Sequence, residues 1–530
     1  MATTVVVSPG SRIAAAQGQR QRPEWLFATG LVTILMVIAF AVHGYHPYAE
    51  DGGLYMAGIK RVLDPAVYPH RSEFVLEHLR FSVFAPMVAA LVRGSGWSLE
   101  VVLLVLQLAS FWMTLFAGWI LAARCYSRRS IQVGAISLLA VWLTLPIAGT
   151  SLMLMDPYVT ARSFSTPCAL LALAGALAFL LPESEPRTRR RGLILCGVSL
   201  TIAGLVHPLM AGYALASVLA LGVVSHRDRK IRVAASIGLC VAGVGTALAI
   251  QSMALPESMT YLSVAMTRRY WFLSEWHWYE WIGVAAPLLI LGWVASARRQ
   301  RSETQIVLAR MAVVIGTSAT IVAMLFARIG MTTHLVARLQ PLRVFQLVYV
   351  VMILAVGAAL AERVLQRRAL RWVAVFGMLT AVMVLAERRT FPASAHIELP
   401  TAQRWSGQRN AWVQAFLWIR QNTPKDALLA LDADYITRPG EDAQSFRAIA
   451  ERSALPDYSK DGGEASITPE LTGAWVEGQN AQSGLSDATD ARRIATLKPL
   501  GVGWVVLERS AATAFVCDYA NDVVKVCRLP

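Results

Sequence analysis

The chain has 530 residues, of which 55% are hydrophobic and only 16% are charged, and its mean hydropathy is +0.48. An ordinary soluble domain has about a quarter of its residues charged, so most of this chain is not adapted to water. The net charge of +15 could indicate nucleic acid binding, but the basic residues lie in short clusters between apolar segments. This placement is typical of membrane topology, so we expect no nucleic acid partner.

Apolar stretches of membrane-spanning length recur up to residue 386. A hydrocarbon core of about 30 Å takes roughly 20 apolar residues in helical form. The length of the first run favours an uncleaved anchor, although Ala39-Phe40-Ala41 leaves signal cleavage open. We predict an all-α polytopic membrane bundle of about eleven spans, at residues 26–42, 99–123, 131–148, 166–182, 193–206, 209–224, 233–250, 281–297, 311–327, 344–361 and 372–386.

Basic clusters predict how the spans are oriented. Lys and Arg accumulate near span ends on the cytoplasmic side, and here the clusters fall in every second loop. They lie at residues 124–129, 187–191, 227–232, 298–301 and 363–371. A cytoplasmic N-terminal tail (1–24) makes all of them cytoplasmic. The loops 43–98, 149–165, 251–280 and 328–343 then lie outside, with the tail after 386.

The first outer loop is long, and we expect it to be structured. The segment 79–93 is apolar, but counting it as a span would invert every later loop, so we predict a helix packed against the outer surface. The segment 54–63 carries Lys60 and Arg61 among apolar residues, which is typical of an interfacial helix.

The sequence HGYHPYAEDGGLYMAG, directly after the first span, contains the adjacent carboxylates Glu50 and Asp51. A carboxylate at the mouth of a membrane bundle can act as a general base or hold a cation. The two glycines that follow allow close approach of another backbone or of a substrate. The alternative is that the acidic pair is only a solvated start of the loop.

A further carboxylate, Asp156, lies in the short second outer loop, six residues before Arg162. If the first two outer loops meet, Asp51 and Asp156 face one cavity, where Arg162 neutralises them or binds an anion. Helix capping is the alternative role for Asp156.

Later outer loops add basic and aromatic residues. His207 lies in the tight turn LVHPLMAG, and Arg338 and Arg343 lie outside, against the positive-inside bias. A guanidinium matches the oxygens of a phosphate, so phosphate binding is one reason for these arginines and snorkelling to lipid headgroups is the other. The aromatic stretch RRYWFLSEWHWYEW is typical of an interfacial belt, although sugar stacking would use the same residue types.

The tail, 387–530, is predicted to be a small extracytoplasmic α/β or α+β domain. It combines linker-like sequence around Pro392 and Pro400, a helix in NAWVQAFLWIRQNTP, and strands in ALLALD, GVGWVVLE and the final hairpin. Cys517 and Cys527 lie on either side of that hairpin's turn, so they can form a disulfide if this end is extracytoplasmic.

This layout resembles the GT-C class of membrane glycosyltransferases. Members of that class combine a domain of many spans, here residues 25–386, with acidic residues in the first outer loops and often with an outer C-terminal domain. The motifs DPYVTARSFSTP, VHPLMAG, WIRQNTPKDALL and FRAIAERS are similar to those of an uncharacterised bacterial GT-C-like group. The tail has no WWD signature, which argues against a peptide acceptor.

The resemblance implies transfer of a sugar from a polyprenyl-phosphate-linked donor to a glycan, lipid or protein acceptor at the outer face of a bacterial inner membrane. Asp51 or Glu50 would be the general base, and Asp156 would assist it or bind a divalent cation, Mg²⁺ or Mn²⁺. Arg338 and Arg343 would hold the donor phosphate, and His207 and Arg162 would line the cavity. The alternatives are a non-catalytic glycan export component and a membrane scaffold.

Overall fold

The computed structural model describes residues 9–181, 185–296, 301–399, 410–438 and 442–530, with side chains from residue 24 onward. Pro400 lies outside this description, as do the side chains of the basic residues before residue 24. The helices of the first 390 residues are α1 (Pro9–His43), α2 (Glu50–Leu63), α3 (Glu73–Leu76), α4 (Phe84–Ser95), α5 (Leu99–Cys125), α6 (Arg129–Val141), α7 (Arg162–Leu180), α8 (Pro186–Val206), α9 (Pro208–Val224), α10 (Arg229–Met253), α11 (Met259–Ala265), α12 (Trp278–Ser296), α13 (Glu303–Phe326), α14 (Leu335–Arg338), α15 (Phe345–Leu360) and α16 (Ala369–Thr390).

Eight helical segments in the described part of the chain are long and apolar enough to cross a membrane. They are Glu24–His43, Leu99–Cys125, Arg162–Leu180, Arg229–Met253, Trp278–Ser296, Glu303–Phe326, Leu335–Leu365 and Ala369–Thr390. The polytopic helical bundle is therefore confirmed at this level.

The other three expected spans do not reach that standard. The segment 131–148 contains only the short helix α6, after which the chain turns, and α9 is also shorter than a full span. The segment 193–206 lies in α8, whose first turns carry several arginines and lower its hydropathy. The eleven spans are thus not confirmed.

The basic loops after α5, α12 and α15 meet at one end of the bundle. Ser302 Oγ donates to the Cys125 carbonyl at 2.7 Å, and the guanidinium groups of Arg301 and Arg363 both lie over the Trp293 ring, 4.4 and 5.4 Å from its centre. For three of the five basic clusters, these contacts agree with the prediction that the clusters share one side. The opposite end is called the outer end below.

The first outer loop is structured, but two of its helices lie differently from the prediction. The 3₁₀ turn Glu77–Phe81 extends α3, and this segment meets α4 at a bend of 98°, so 79–93 is not one helix lying along the surface. Helix α2 is not an interfacial helix either, because Lys60 on its face is buried and pairs with Glu451 at 2.6 Å.

The C-terminal domain combines short helices with one mixed sheet. Its helices are α17 (Ala411–Asn422), α18 (Phe446–Ala450), α19 (Lys460–Ile467), α20 (Thr472–Gln482) and α21 (Asp490–Leu497), and its strands are β1 (Leu428–Ala430), β2 (Ser453–Ala454), β3 (Trp504–Glu508), β4 (Cys517–Ala520) and β5 (Val524–Arg528). The strand order is β2-β1-β3-β5-β4, with β1 parallel to β2 and β3 and the last two pairings antiparallel.

The strands and the helix therefore form where the sequence predicts them. Asn410 caps α17 by accepting a hydrogen bond from the Val413 N–H. Cys517 and Cys527 are register partners on β4 and β5 and form the predicted disulfide.

One apolar core joins the first outer loop to the C-terminal domain. Met56 and Ile59 of α2 and Phe84 of α4 belong to the same buried cluster as Phe416 and Phe446. Because burial of apolar surface drives this packing, the domain fixes the position of α2 and thereby of the acidic pair at its start.

Candidate functional site

A cavity of about 630 Å³ lies at the outer end of the bundle, between the outer loops and the C-terminal domain. Helix α15 begins beside this cavity and ends at the basic loops, which places the two features at opposite ends. Each residue that the sequence singled out for chemistry or donor binding lines it: Glu50, Asp51, Asp156, Arg162, His207, Arg338 and Arg343.

The glycines after the acidic pair allow α2 to start in a crowded place. A Cβ on Gly53 would lie 2.5 Å from the Tyr48 carbonyl oxygen and 2.3 Å from Ser445 Cβ, and one on Gly52 would lie 2.7 Å from Tyr158 Cβ. Only glycine leaves room for these contacts. The close approach that the sequence predicted is thus made by protein neighbours, and it places Asp51 at the cavity in the first turn of α2.

Arg162 links the first two outer loops. Its Nη1 lies 3.2 Å from Asp51 Oδ2, and its Nη2 lies 2.9 Å from Asp156 Oδ2. Asp156 is buried and forms this ion pair instead of capping a helix. The two outer loops therefore meet, and of the two roles that the sequence left open for Arg162 these contacts support neutralisation of the carboxylates.

The C-terminal domain adds a second cation to the acidic pair. Lys460 Nζ, at the start of α19, lies 3.1 Å from Asp51 Oδ1 and also pairs with Glu50. Burial would raise the pKa of Asp51, but Lys460 and Arg162 outweigh burial and hold that pKa well below its usual range. Burial would also lower the pKa of Lys460, but Asp51 and Glu50 outweigh it and raise that pKa. Asp51 is therefore a firmly ionised carboxylate.

This arrangement does not fit a divalent cation between Asp51 and Asp156. Basic side chains contact three of the four carboxylate oxygens of these two residues. Mg²⁺ and Mn²⁺ need such oxygens as ligands, and no group of three or more His, Cys, Asp or Glu side chains in the described ranges could hold a metal ion.

Arg343 presents an uncompensated positive charge to the cavity. Its guanidinium makes no ion pair with any carboxylate that the structure describes, and its buried Nε has no hydrogen-bond partner there. The neighbouring Gln340 has a left-handed backbone, with φ of 52°, and its buried Oε1 also lacks a partner in the described ranges. A half-buried guanidinium without a counter-ion costs free energy unless a ligand pairs with it, so the cavity beside Arg343 suits an anion.

Arg338 and Arg268 have protein partners. Arg338 Nε donates to the Tyr261 hydroxyl at 3.1 Å, and its Nη2 lies 3.8 Å from Glu257. Arg268 donates at 2.8 Å to the carbonyl groups of Ser459 and Tyr458. Carbonyl groups do not cancel its charge, so Arg268 adds to the positive potential of the cavity, whereas Arg338 is partly neutralised.

His207 lines the cavity as a neutral group. Its Nδ1 accepts from the Met210 N–H at 3.5 Å, which leaves Nε2 as the protonated nitrogen of a neutral ring. Burial lowers the pKa of His207 to about 3. The side chain can thus donate one hydrogen bond to a ligand, but it does not bring a charge to a phosphate.

Sequence reasoning missed the contributions of Lys460, Glu464 and Arg268, which also line the cavity. Lys460 and Glu464 are four residues apart and share a face of α19, but no local pattern connects them with Asp51, which lies 409 residues before Lys460. The residues of the aromatic stretch lie in different environments. Trp271 and Trp276 are buried inside the protein, whereas Tyr270 lines the cavity.

No family model matches the chain, and a comparison with curated proteins finds no match. The function is therefore argued from the cavity itself.

Proposed function

We propose that this protein is a GT-C-like glycosyltransferase that moves a sugar from a polyprenyl-phosphate-linked donor to an acceptor at the outer face of the cytoplasmic membrane. The observation that carries the proposal is that one cavity holds both a free positive charge and an ionised carboxylate. Arg343, without a counter-ion in the described structure, lines the cavity together with Asp51.

The basic side of the cavity suits the donor phosphate. Arg343 offers a guanidinium fork that stays charged at any physiological pH, and Arg268 and the His207 ring are further donors. As the glycosidic bond to phosphate breaks, negative charge accumulates on the leaving phosphate. A fixed cation in a site shielded from water stabilises that charge more strongly than water would.

The apolar side suits a lipid and a sugar. Hydrophobic residues from the outer end of the bundle and from the C-terminal domain complete the lining: Leu54, Phe81, Val206, Leu209, Leu339, Phe391 and Ile467. A prenyl chain can reach such a surface from the bilayer while its phosphate contacts the arginines.

Ionised carboxylates in the same cavity can orient the acceptor hydroxyl and stabilise positive charge at the anomeric carbon. Asp51, 30% exposed, has access to the cavity despite its two ion pairs. A single displacement at the anomeric carbon, with inversion, needs only these parts and an acceptor for the hydroxyl proton.

Substitution of Arg343 tests the proposal. We expect Arg343→Ala to reduce transfer from radiolabelled polyprenyl-phosphate sugars by about 100-fold or more in membranes with matched protein levels, because one preorganised oxyanion donor is typically worth that much. Arg328→Ala is the matched control, since Arg328 lies in the same loop but is exposed and outside the cavity.

Equal transfer by both arginine variants would show that Arg343 does not bind the donor phosphate. Donor binding by the wild type without any transfer would favour the export component instead, because such a protein must bind the lipid-linked sugar but need not break its glycosidic bond.

A further inference from the structure

Glu464 is the carboxylate of the cavity that lacks a basic partner. It lies on α19, one helical turn after Lys460, and only 8% of the residue is exposed. Its side chain makes no hydrogen bond or ion pair with any residue that the structure describes. A buried carboxyl group that faces a ligand cavity without a counter-ion is costly to keep, which points to a role in the chemistry.

The other carboxylates of the cavity are paired with basic side chains. Both oxygens of Asp51 contact cations, Glu50 pairs with Lys460, and Asp156 pairs with Arg162. Lys460 and Arg162 hold the pKa of Asp51 well below its usual range, so Asp51 is a poor proton acceptor. Burial raises the pKa of Asp156, but its ion pair with Arg162 occupies this carboxylate.

We propose that Glu464 is the general base of the glycosyl transfer proposed above, on which this inference rests, and that Asp51 remains ionised and orients the substrates. In the step, the acceptor oxygen forms a bond to the anomeric carbon and its proton passes to the Glu464 carboxylate. The bond from the anomeric carbon to the phosphate oxygen breaks, and its electron pair leaves with the polyprenyl phosphate.

The electrostatic surroundings of Glu464 support this role. Burial, followed by the charges of Asp461, Asp51 and Glu77, raises the pKa of Glu464 to about 8. Lys460 is held by Asp51 and Glu50 rather than by Glu464. A base is most effective when its pKa lies near the working pH, and Glu464 meets this condition whereas Asp51 does not.

Helix α19 is also firmly positioned, as a catalytic group requires. The buried Asp461 carboxylate lies 2.7 Å from Arg447 Nη1, and Arg268 donates to the carbonyl groups of Tyr458 and Ser459 just before the helix. These contacts hold the start of the helix that carries Lys460 and Glu464, one from the C-terminal domain and the other from the membrane region.

The pH dependence of transfer distinguishes Glu464 from Asp51 as the base. Wild-type transfer from a radiolabelled polyprenyl-phosphate sugar should rise between pH 6 and 9 with a midpoint near 8, because the base must lose its proton. We expect Glu464→Gln to lower the plateau by about 100-fold or more and to abolish the rise. Glu470→Gln, at an exposed position six residues later, should match the wild type in both respects.

The melting temperature in detergent at pH 7 should be the same for Glu464→Gln and wild type, because Glu464 is mostly protonated at that pH. Equal melting temperatures would show that a loss of transfer does not come from misfolding. Transfer by Glu464→Gln at wild-type rates and with the wild-type pH profile would overturn the inference, while the glycosyltransferase proposal would stand. No transfer by the wild type with any donor would overturn both.

Discussion

His46 shows how a single buried residue can tie the outer end of the bundle together. Its Nε2 lies 2.7 Å from Glu387 at the end of α16, and its Nδ1 lies 3.3 Å from Glu398 in the following segment. A carboxylate lies at each ring nitrogen, which favours the doubly protonated, cationic form of the imidazole. Its ring stacks on Phe391, a residue of the cavity wall, at 3.9 Å between ring centres.

This ion cluster predicts a pH dependence of stability. Burial lowers the pKa of His46, but the hydrogen bonds to Glu387 and Glu398 outweigh burial and raise it above 6.5. A raised pKa in the folded state contributes stability that is fully present below pH 6.5 and is lost as the pH rises through the folded-state pKa. We therefore expect the wild type to lose more thermal stability between pH 6 and 9 than His46→Gln does.

Melting temperatures in detergent at several pH values would check this expectation. His226→Gln serves as the control, since His226 is exposed in a loop between α9 and α10 and should leave the wild-type curve unchanged. Parallel curves for His46→Gln and wild type would show that His46 is not the group responsible.

At the scale of elements, the start of α2 is tightly packed against its protein neighbours. A methyl group on Gly53 would collide with the Tyr48 carbonyl and with Ser445, and backbone cannot move aside as a flexible side chain can. We expect Gly53→Ala to destabilise the protein by about 1–3 kcal/mol, the usual cost of overpacking, and to displace Asp51 from its partners.

Denaturation in detergent would measure this effect, with transfer activity followed in the same samples. Gly94→Ala on α4 is the control, because no atom lies within 4 Å of the added methyl group. If the two variants are equally stable and active, the glycine pair is not required for the close packing of α2.

Helices and strands follow from local sequence where one physical term dominates. The long spans are predicted because hydropathy over about 20 residues is sufficient to place a helix in a bilayer. The tail helix and strands are predicted by their periodicity and by the turns between them. The burial of α2 is not predicted by local sequence, because the partner of its Lys60 is Glu451, which lies far along the chain.

The site itself could be predicted only in part from the sequence. The loop alternation of the basic clusters placed Asp51, Asp156 and Arg343 on one side of the membrane, so their convergence could be predicted from topology. Lys460 and Glu464 come from a soluble domain whose docking depends on tertiary packing. No periodicity or charge pattern in the sequence specifies that docking.

At the scale of the whole molecule, the C-terminal domain is part of the site and not an appendage. It shares an apolar core with the first outer loop and supplies Lys460 to the Asp51 carboxylate. The cavity is therefore built from both halves of the chain, with arginines from the membrane region and carboxylates from both.

The most direct test of this account is sugar transfer by Asp51→Asn. In membranes supplied with radiolabelled polyprenyl-phosphate sugars, we predict transfer by the wild type and a loss of about 100-fold or more in Asp51→Asn, because the amide removes the charge that holds Arg162 and Lys460. Asp64→Asn, an exposed position at the other end of α2, should retain wild-type transfer. Full transfer by Asp51→Asn at equal expression would contradict the assignment of the active site to this cavity.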